Sequence, residues 1–217
     1  MSISRRGLLL GSLALLAGCS TNGANNRANY AAKPDEAHPL PAMPLDKIKP
    51  ELRRTEVAYE TSQKPGTIVV DTPARRLYYV LGDGKAIRYG IGVGRDGFRW
   101  SGTETVTRMA EWPDWTPPAE MIARQPYLAR WMAGGEGNPL GARAIYLGNT
   151  VYRIHGTNNP DTIGERVSSG CIRMLNADVV DLYQRVNVGT KIVVLPNRAD
   201  VAAIDTTSPR RTVAGIY

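Results

Sequence analysis

The residues from Tyr152 to Leu175, YRIHGTNNPDTIGERVSSGCIRML, constrain the chain more than any other stretch. They hold His155, one of two histidines, and Cys171, one of two cysteines. A short alternating run carries the histidine, and a serine- and glycine-rich turn carries the cysteine. A fold that uses both must bring them together across fifteen intervening residues. A strand ending at His155, a loop over 158–166 and a return ending at Cys171 achieve that. A thiol, with an ordinary pKa of about 8.5, becomes a strong nucleophile only when it loses its proton. An adjacent imidazole can take that proton and return it to a leaving group. The small residues Ser168, Ser169 and Gly170 let consecutive backbone N–H groups, those of Ser169, Gly170 and Cys171, converge on one developing negative charge. A buried structural cysteine and a loop histidine fit the same spacing, because cysteine is among the most buried residue types.

The flanking sequence is a series of short strands. Thr67–Val70, Arg76–Leu81, Lys85–Gly92 and Thr103–Met109 are apolar or alternating runs, separated by turn residues such as Gly82-Asp83-Gly84. Ala142–Leu147 and Val151–His155 continue the pattern, and Thr190–Leu195 closes it. Short strands with frequent turns predict a mainly β fold, a sandwich or barrel. Helices are few. Pro118 opens a short one through Gln125, since proline suits the first helical turn. After Cys171, Asn176 is a candidate cap, and Val179, Leu182, Tyr183 and Val186 recur at helical spacing. That helix is expected to pack behind the Cys171 turn. Glu111–Pro118 sets two tryptophans among three prolines and predicts a stiff loop, either simply packed or one wall of a cleft. The glycine-rich stretch Trp131–Gly141 reads as a mobile loop. Glycine spacings near Gly90 and Gly135 lack the strand-then-helix context of a dinucleotide site.

The start of the chain is not fold. Arg5 and Arg6 precede a short apolar run from Leu8 to Ala17, too short to span a bilayer, so residues 1–18 are expected to be an export signal. Leu16-Ala17-Gly18-Cys19 resembles a bacterial lipobox, which implies acylation of Cys19 as a lipid anchor. Ser4-Arg5-Arg6-Gly7-Leu8-Leu9 resembles a twin-arginine signal without its usual closing lysine, and an ordinary signal accounts for the same arginines. Removing 1–18 lowers the formal charge from +7 to +5, because Arg5 and Arg6 are the only charged residues there. Acylation of Cys19 would leave Cys171 as the one free thiol, with no internal disulfide. The basic balance points to an anionic surface, a polyanionic wall or membrane. It does not point to nucleic acid, since no basic stripe with interleaved aromatics is present. Residues 19–65, rich in Ala, Asn and Pro, predict a flexible tether with a reach of about 35–40 Å. His38 is read as a solvated residue within it. Residues 51–62 are left as an edge strand or short helix. Residues 196–217 predict a polar tail.

Taken in order, His155-Gly156-Thr157 and Ser168-Ser169-Gly170-Cys171-Ile172-Arg173-Met174 resemble the active-site signature of the L,D-transpeptidase (YkuD) family. The resemblance runs from about Gly66 to Leu195. It includes Trp100-Ser101-Gly102, Trp115-Thr116-Pro117-Pro118 and Asn138-Pro139-Leu140-Gly141-Ala142-Arg143-Ala144. Many members carry histidine where this chain has Ser169, a change that touches neither nucleophile nor base. The resemblance implies a catalytic domain over 66–195, with mixed β-sheets and a few short helices. It implies Cys171 as nucleophile, His155 as base and the Gly156 carbonyl as its orienting acceptor, acting on peptidoglycan stem peptides with release of D-alanine. Ser169 and Gly170 are the expected oxyanion donors beside Cys171, and Arg173, Ser168 and Trp115 the expected substrate contacts. For Arg173 a structural ion pair is the competing reading. The acceptor is a second stem or a wall-anchored protein amine. No cofactor is expected, and no ligand cluster with metal spacing is visible. The expected location is the periplasm, on the outer membrane. The competing readings are a hydrolase using the same pair with water, and a silent wall-binding lipoprotein.

Overall fold

The computed structural model describes residues 26–96 and 100–196. The export signal over 1–18 and Cys19 lie outside the described residues, as does the expected tail beyond Pro196. Among the described residues the strands are β1 Thr55–Ala58, β2 Ile68–Asp71, β3 Arg76–Gly82, β4 Lys85–Gly90, β5 Val93–Gly94 and β6 Gly102–Glu111. They continue with β7 Arg143–Leu147, β8 Arg153–His155, β9 Arg166–Ser168, β10 Ile172–Arg173 and β11 Lys191–Val194. Helices α1 Ala119–Arg124 and α2 Asn176–Arg185 accompany them, beside a helical turn at 26–29 and three short 3-10 turns. The fold is mostly β with mixed sheets and few helices, as the strand pattern predicts.

Nine strands hydrogen-bond in the order β1-β4-β3-β2-β11-β6-β7-β8-β10, and β5 pairs with β9 apart from them. The β3–β4 hairpin turns through Gly82, Asp83 and Gly84 at φ of 100°, 50° and 66°. That left-handed run explains two glycines around an aspartate. Strand β6 joins the two halves of the sheet. Its first residues, from Gly102 to Thr105, pair with β11, and Val106–Glu111 pairs with β7. A register shift between Val106 and Arg108 marks the handover. Such a bulge adds twist and lets Val106 stay in the core while Arg108 turns to the other face.

On the core side, Ile145, Ile154 and Ile172 lie in one row across β7, β8 and β10, each essentially unexposed. Burying one such side chain stabilises the fold by about 1.5–3 kcal/mol. Helix α2 packs its Val179, Leu182 and Val186 stripe into the same core. The opposite face of these strands therefore carries the alternate residues, including His155 and Arg173.

The tether expected over 19–65 is corrected for residues 26–65. Tyr30, only 2% exposed, packs with Ile48, Leu52, Ile163 and Leu175 in a second apolar cluster. Its hydroxyl accepts from the Arg54 N–H at 2.6 Å and donates to Asp178 Oδ2 at 3.2 Å. Arg143 pairs with Glu36 at 2.8 Å, and the Trp112 indole N–H donates to the same carboxylate. Residues 55–58 form β1, an antiparallel edge strand on β4. These anchors are single apolar or charged residues separated by prolines, so they leave no periodic signal. His38 is exposed, as read, but its ring sits edge-on to Trp112 at 4.9 Å between centroids.

Removing the Tyr30 hydroxyl would leave the buried Arg54 N–H and Asp178 oxygen without that partner. Tyr30→Phe is expected to lower unfolding stability by about 1–3 kcal/mol. A shift of the urea midpoint with an unchanged m-value measures it; no shift would mean that the segment is not coupled to helix α2.

Candidate active site

The parallel pairing of β10 on β8 builds the site. Ile172 lies opposite Ile154 and Arg173 opposite His155. Cys171, one residue before β10, therefore shares a face with Arg173, His155 and Arg153. With strand spacing of about 4.8 Å and a rise of about 3.3 Å per residue, the Cα atoms of Cys171 and His155 lie roughly 8 Å apart. That interval is within the combined reach of the two side chains, although among the described contacts none joins Sγ to the ring. Cys171 is a free thiol, partly exposed, with Sγ 4.0 Å from the Val151 carbonyl.

His155 is 4% exposed, and its Nδ1 lies 2.6 Å from the Gly156 carbonyl oxygen. A carbonyl only accepts, so Nδ1 carries the proton and Nε2 keeps its lone pair. Burial pushes the imidazole pKa down to about 3; the Arg173 cation adds to the shift, and the Gly156 carbonyl opposes it. The ring is therefore neutral at pH 7. Burial also lowers Arg173, while a negative charge on Cys171 pulls it the other way, as expected for a guanidinium beside the thiol.

The Cys171 turn is clipped from inside. The Ser168 hydroxyl donates to the Cys171 carbonyl at 2.6 Å and accepts from the Gly170 N–H at 3.3 Å. Gly170 adopts φ of 101°, and its carbonyl accepts from the Trp100 indole at 3.2 Å. Trp100 stacks on Tyr152 with 5° between ring planes. Two expectations change here. Ser168, 2% exposed with its hydroxyl engaged in the turn, shapes the Cys171 loop and is not a substrate contact. The Gly170 N–H already has a partner, so it is not a free oxyanion donor. Ser169 and Cys171 N–H groups have no hydrogen-bond acceptor among the described residues.

Trp115 exchanges backbone hydrogen bonds with Met132 at 2.8 and 2.9 Å. No described contact places its ring against His155, Cys171 or Arg173. Its loop does reach the site's margin. The Asn138 amide, 1% exposed, donates to the carbonyls of Pro113, Met132 and Ala133. Asn158 donates to the Gly137 carbonyl at 2.9 Å. The glycine-rich loop expected to be mobile is therefore pinned by Asn138 at its centre.

Asn176 is the residue sequence reasoning misassigned. It makes no cap; Leu175 holds that position without a side-chain bond. Asn176 Oδ1 instead accepts from the N–H groups of Ala142 and Thr157, at 3.0 and 3.2 Å. It thus ties β7 to the segment just after His155. A Cβ on Gly156 or Gly141 would collide with that oxygen, which explains both glycines. Trp100 and Tyr152 were likewise not assigned to the site, because neither has a pattern pointing to Cys171. Among the described residues no group of three His, Cys, Asp or Glu side chains is placed to hold a metal, and no helix is long and apolar enough to cross a membrane.

Two outcomes are expected. Asn176→Ala leaves two backbone donors unpaired, so stability falls by about 2–4 kcal/mol and the rate of Cys171 alkylation changes with it. The His155 ring resonances should stay flat by NMR from pH 8 to 4. The sign follows from the lowered folded pKa. The unfolded ring protonates near 6.5 and the folded one near 3, so His155's contribution to stability is full above pH 6.5 and is lost as pH falls toward 3. A titration of His155 between pH 6 and 7 would contradict this.

Comparisons with known proteins agree with the geometry. The family model for the L,D-transpeptidase catalytic domain, YkuD, matches residues 65–194. The Escherichia coli K12 protein named Probable L,D-transpeptidase ErfK/SrfK is 39% identical over 137 residues, covering 59% of this chain and 43% of that one. Probable L,D-transpeptidase YbiS from the same strain is 39% identical over 135 residues, covering 58% and 43%. The chain thus spans less than half the length of these two relatives. A Brucella melitensis crystal structure, described as a probable carnitine operon oxidoreductase, is 49% identical and covers 68% of this chain and 96% of that one, with a TM-score of 0.47. A TM-score of that size carries no functional inference. The matched span includes His155, Cys171 and the whole sheet from β2 to β11, and the chain belongs to the YkuD family of L,D-transpeptidase catalytic domains.

Proposed function

We propose that this protein is a peptidoglycan L,D-transpeptidase that works through a cysteine thioester. One observation carries the reading: His155 and Cys171 share a face of the β8–β10 pair, and the Gly156 carbonyl holds the imidazole at Nδ1. Nε2 takes the Cys171 proton, and Sγ attacks the stem carbonyl that precedes the terminal D-alanine. Ser169 and Cys171 N–H groups face the resulting oxyanion. Collapse breaks the C–N bond, and the imidazolium gives its proton to the departing D-alanine amine. The thioester carbon then accepts an acceptor amine, whose proton passes through His155 back to the sulfur. The acceptor is a second stem or a protein amine at the wall. Arg173, cationic and beside the thiol, binds a carboxylate of the stem. The protein acts in the periplasm, held to the outer membrane through acylated Cys19, a reading supported by the lipobox-like Leu16–Cys19.

Incubation with a disaccharide tetrapeptide, followed by mass spectrometry, tests this. A cross-linked dimer lighter by one D-alanine and one acyl adduct on Cys171 are expected, and Cys171→Ala abolishes both. His155→Gln should slow adduct formation by about 10²–10⁴-fold. A tripeptide product alone would make water the acceptor. Unchanged substrate with no adduct would leave a wall-binding lipoprotein.

A further inference from the structure

The face that carries Cys171 extends across the sheet as a row. Pairing sets Arg108 of β6 opposite Tyr146 of β7, and Tyr146 opposite Arg153 of β8. The β8–β10 register continues that row to Cys171. The Arg108 guanidinium carbon lies 3.6 Å from the Tyr146 ring centroid, and that of Arg153 lies 5.6 Å from it. Two cations thus flank one aromatic ring. Arg153 Nη2 donates to the Val151 carbonyl at 3.4 Å, the same oxygen that Cys171 Sγ approaches at 4.0 Å. Arg153 Nε is buried without a hydrogen-bond partner. Among the described residues none of the ion pairs includes Arg108, Arg153 or Arg173.

Cations flanking one aromatic ring with no ion pair among the described residues, one with a donor still unpaired, suit an anionic ligand. We infer that Arg153 and Arg108, spaced by Tyr146, form a carboxylate-binding track that seats an anionic group of the peptide substrate beside Cys171. The inference rests on the transpeptidase reading and extends its binding surface beyond Arg173. Tyr146 holds the two guanidiniums apart and orients them by cation–π contact. Arg153, next to the thiol in the row, takes the carboxylate nearest the scissile bond. Arg108 lies three strand spacings from Cys171, about 14 Å, and meets an anion farther along the chain.

The test is binding to the Cys171→Ala protein, measured by calorimetry with a synthetic stem tetrapeptide and with its fully amidated counterpart. Amidation and Arg153→Gln should each weaken binding by about tenfold, and together by little more than either alone. Arg153→Lys should recover part of the loss, and exposed Arg108→Gln should give a smaller loss of about threefold. The inference is overturned if amidation and Arg153→Gln act independently, if neither changes affinity, or if the tetrapeptide does not bind. Intact mass of the wild-type protein with the same peptide separates the two readings. Coupled binding without a Cys171 adduct would sink the transferase reading and keep the track.

Discussion

The register of two short parallel strands decides whether this protein has a site at all. β10 is two residues long and β8 three. Side chains alternate between faces, so a slip of one residue would send Cys171 into the apolar layer and bring Ile172 out beside His155. The isoleucine row through β7, β8 and β10 opposes that slip, because burying those side chains requires the present register. The core therefore positions the chemistry directly. Further bonds brace the short pair. The Met174 N–H donates to the His155 carbonyl at 2.8 Å, and Gly92 exchanges two hydrogen bonds with Arg173, both at 2.9 Å.

Around that pair, polar groups are used to hold backbone and not to meet solvent. Ser168 closes the Cys171 turn, Asn138 gathers three carbonyls of the neighbouring loops, and Asn176 joins two segments through one oxygen. Each is a side chain doing what a strand partner would otherwise do. Irregular backbone near a site needs such partners, because a buried N–H or C=O left unpaired costs about 1–3 kcal/mol. His155 obeys the same logic. His155 is oriented by a backbone carbonyl, so no acidic partner is needed to fix its tautomer, and the ring stays neutral.

Much of this was legible in the sequence. Short apolar or alternating runs bounded by turn residues found β2 to β4, β6 to β8 and β11, and the Val179–Val186 stripe found helix α2. Spacing alone left His155 and Cys171 open to a structural reading, and it was the resemblance of the HGT and SSGCIRM runs to the family signature that singled them out. The N-terminal segment was not. Tyr30, Glu36, Ile48 and Leu52 are isolated among prolines and polar residues, and their burial depends on partners more than a hundred residues away, such as Asp178 and Arg143. Asn176 was misread because a helix-start asparagine fits a cap so well; only the close approach of Gly141 and Gly156 shows where its oxygen points. The roles of Ser168 and Gly170 depended on which lone pairs and N–H groups the turn leaves free, and composition cannot reveal that.

The charges on the site face have a consequence for the proton transfer. In the proposed mechanism, transfer of the Cys171 proton to neutral His155 creates an imidazolium beside a negative sulfur or oxyanion. Arg173 and Arg153 favour the anion and oppose the new cation. Unit charges about 8 Å apart at an effective dielectric near 20 interact by about 2 kcal/mol, so each opposition is worth more than a factor of ten in rate. A substrate carboxylate seated on a guanidinium would cancel part of that opposition while leaving the N–H groups of Ser169 and Cys171 directed at the oxyanion. The base would then gain strength when the anionic substrate is in place. Burial of His155 makes this dependence steep, since little water reaches the ring to screen it.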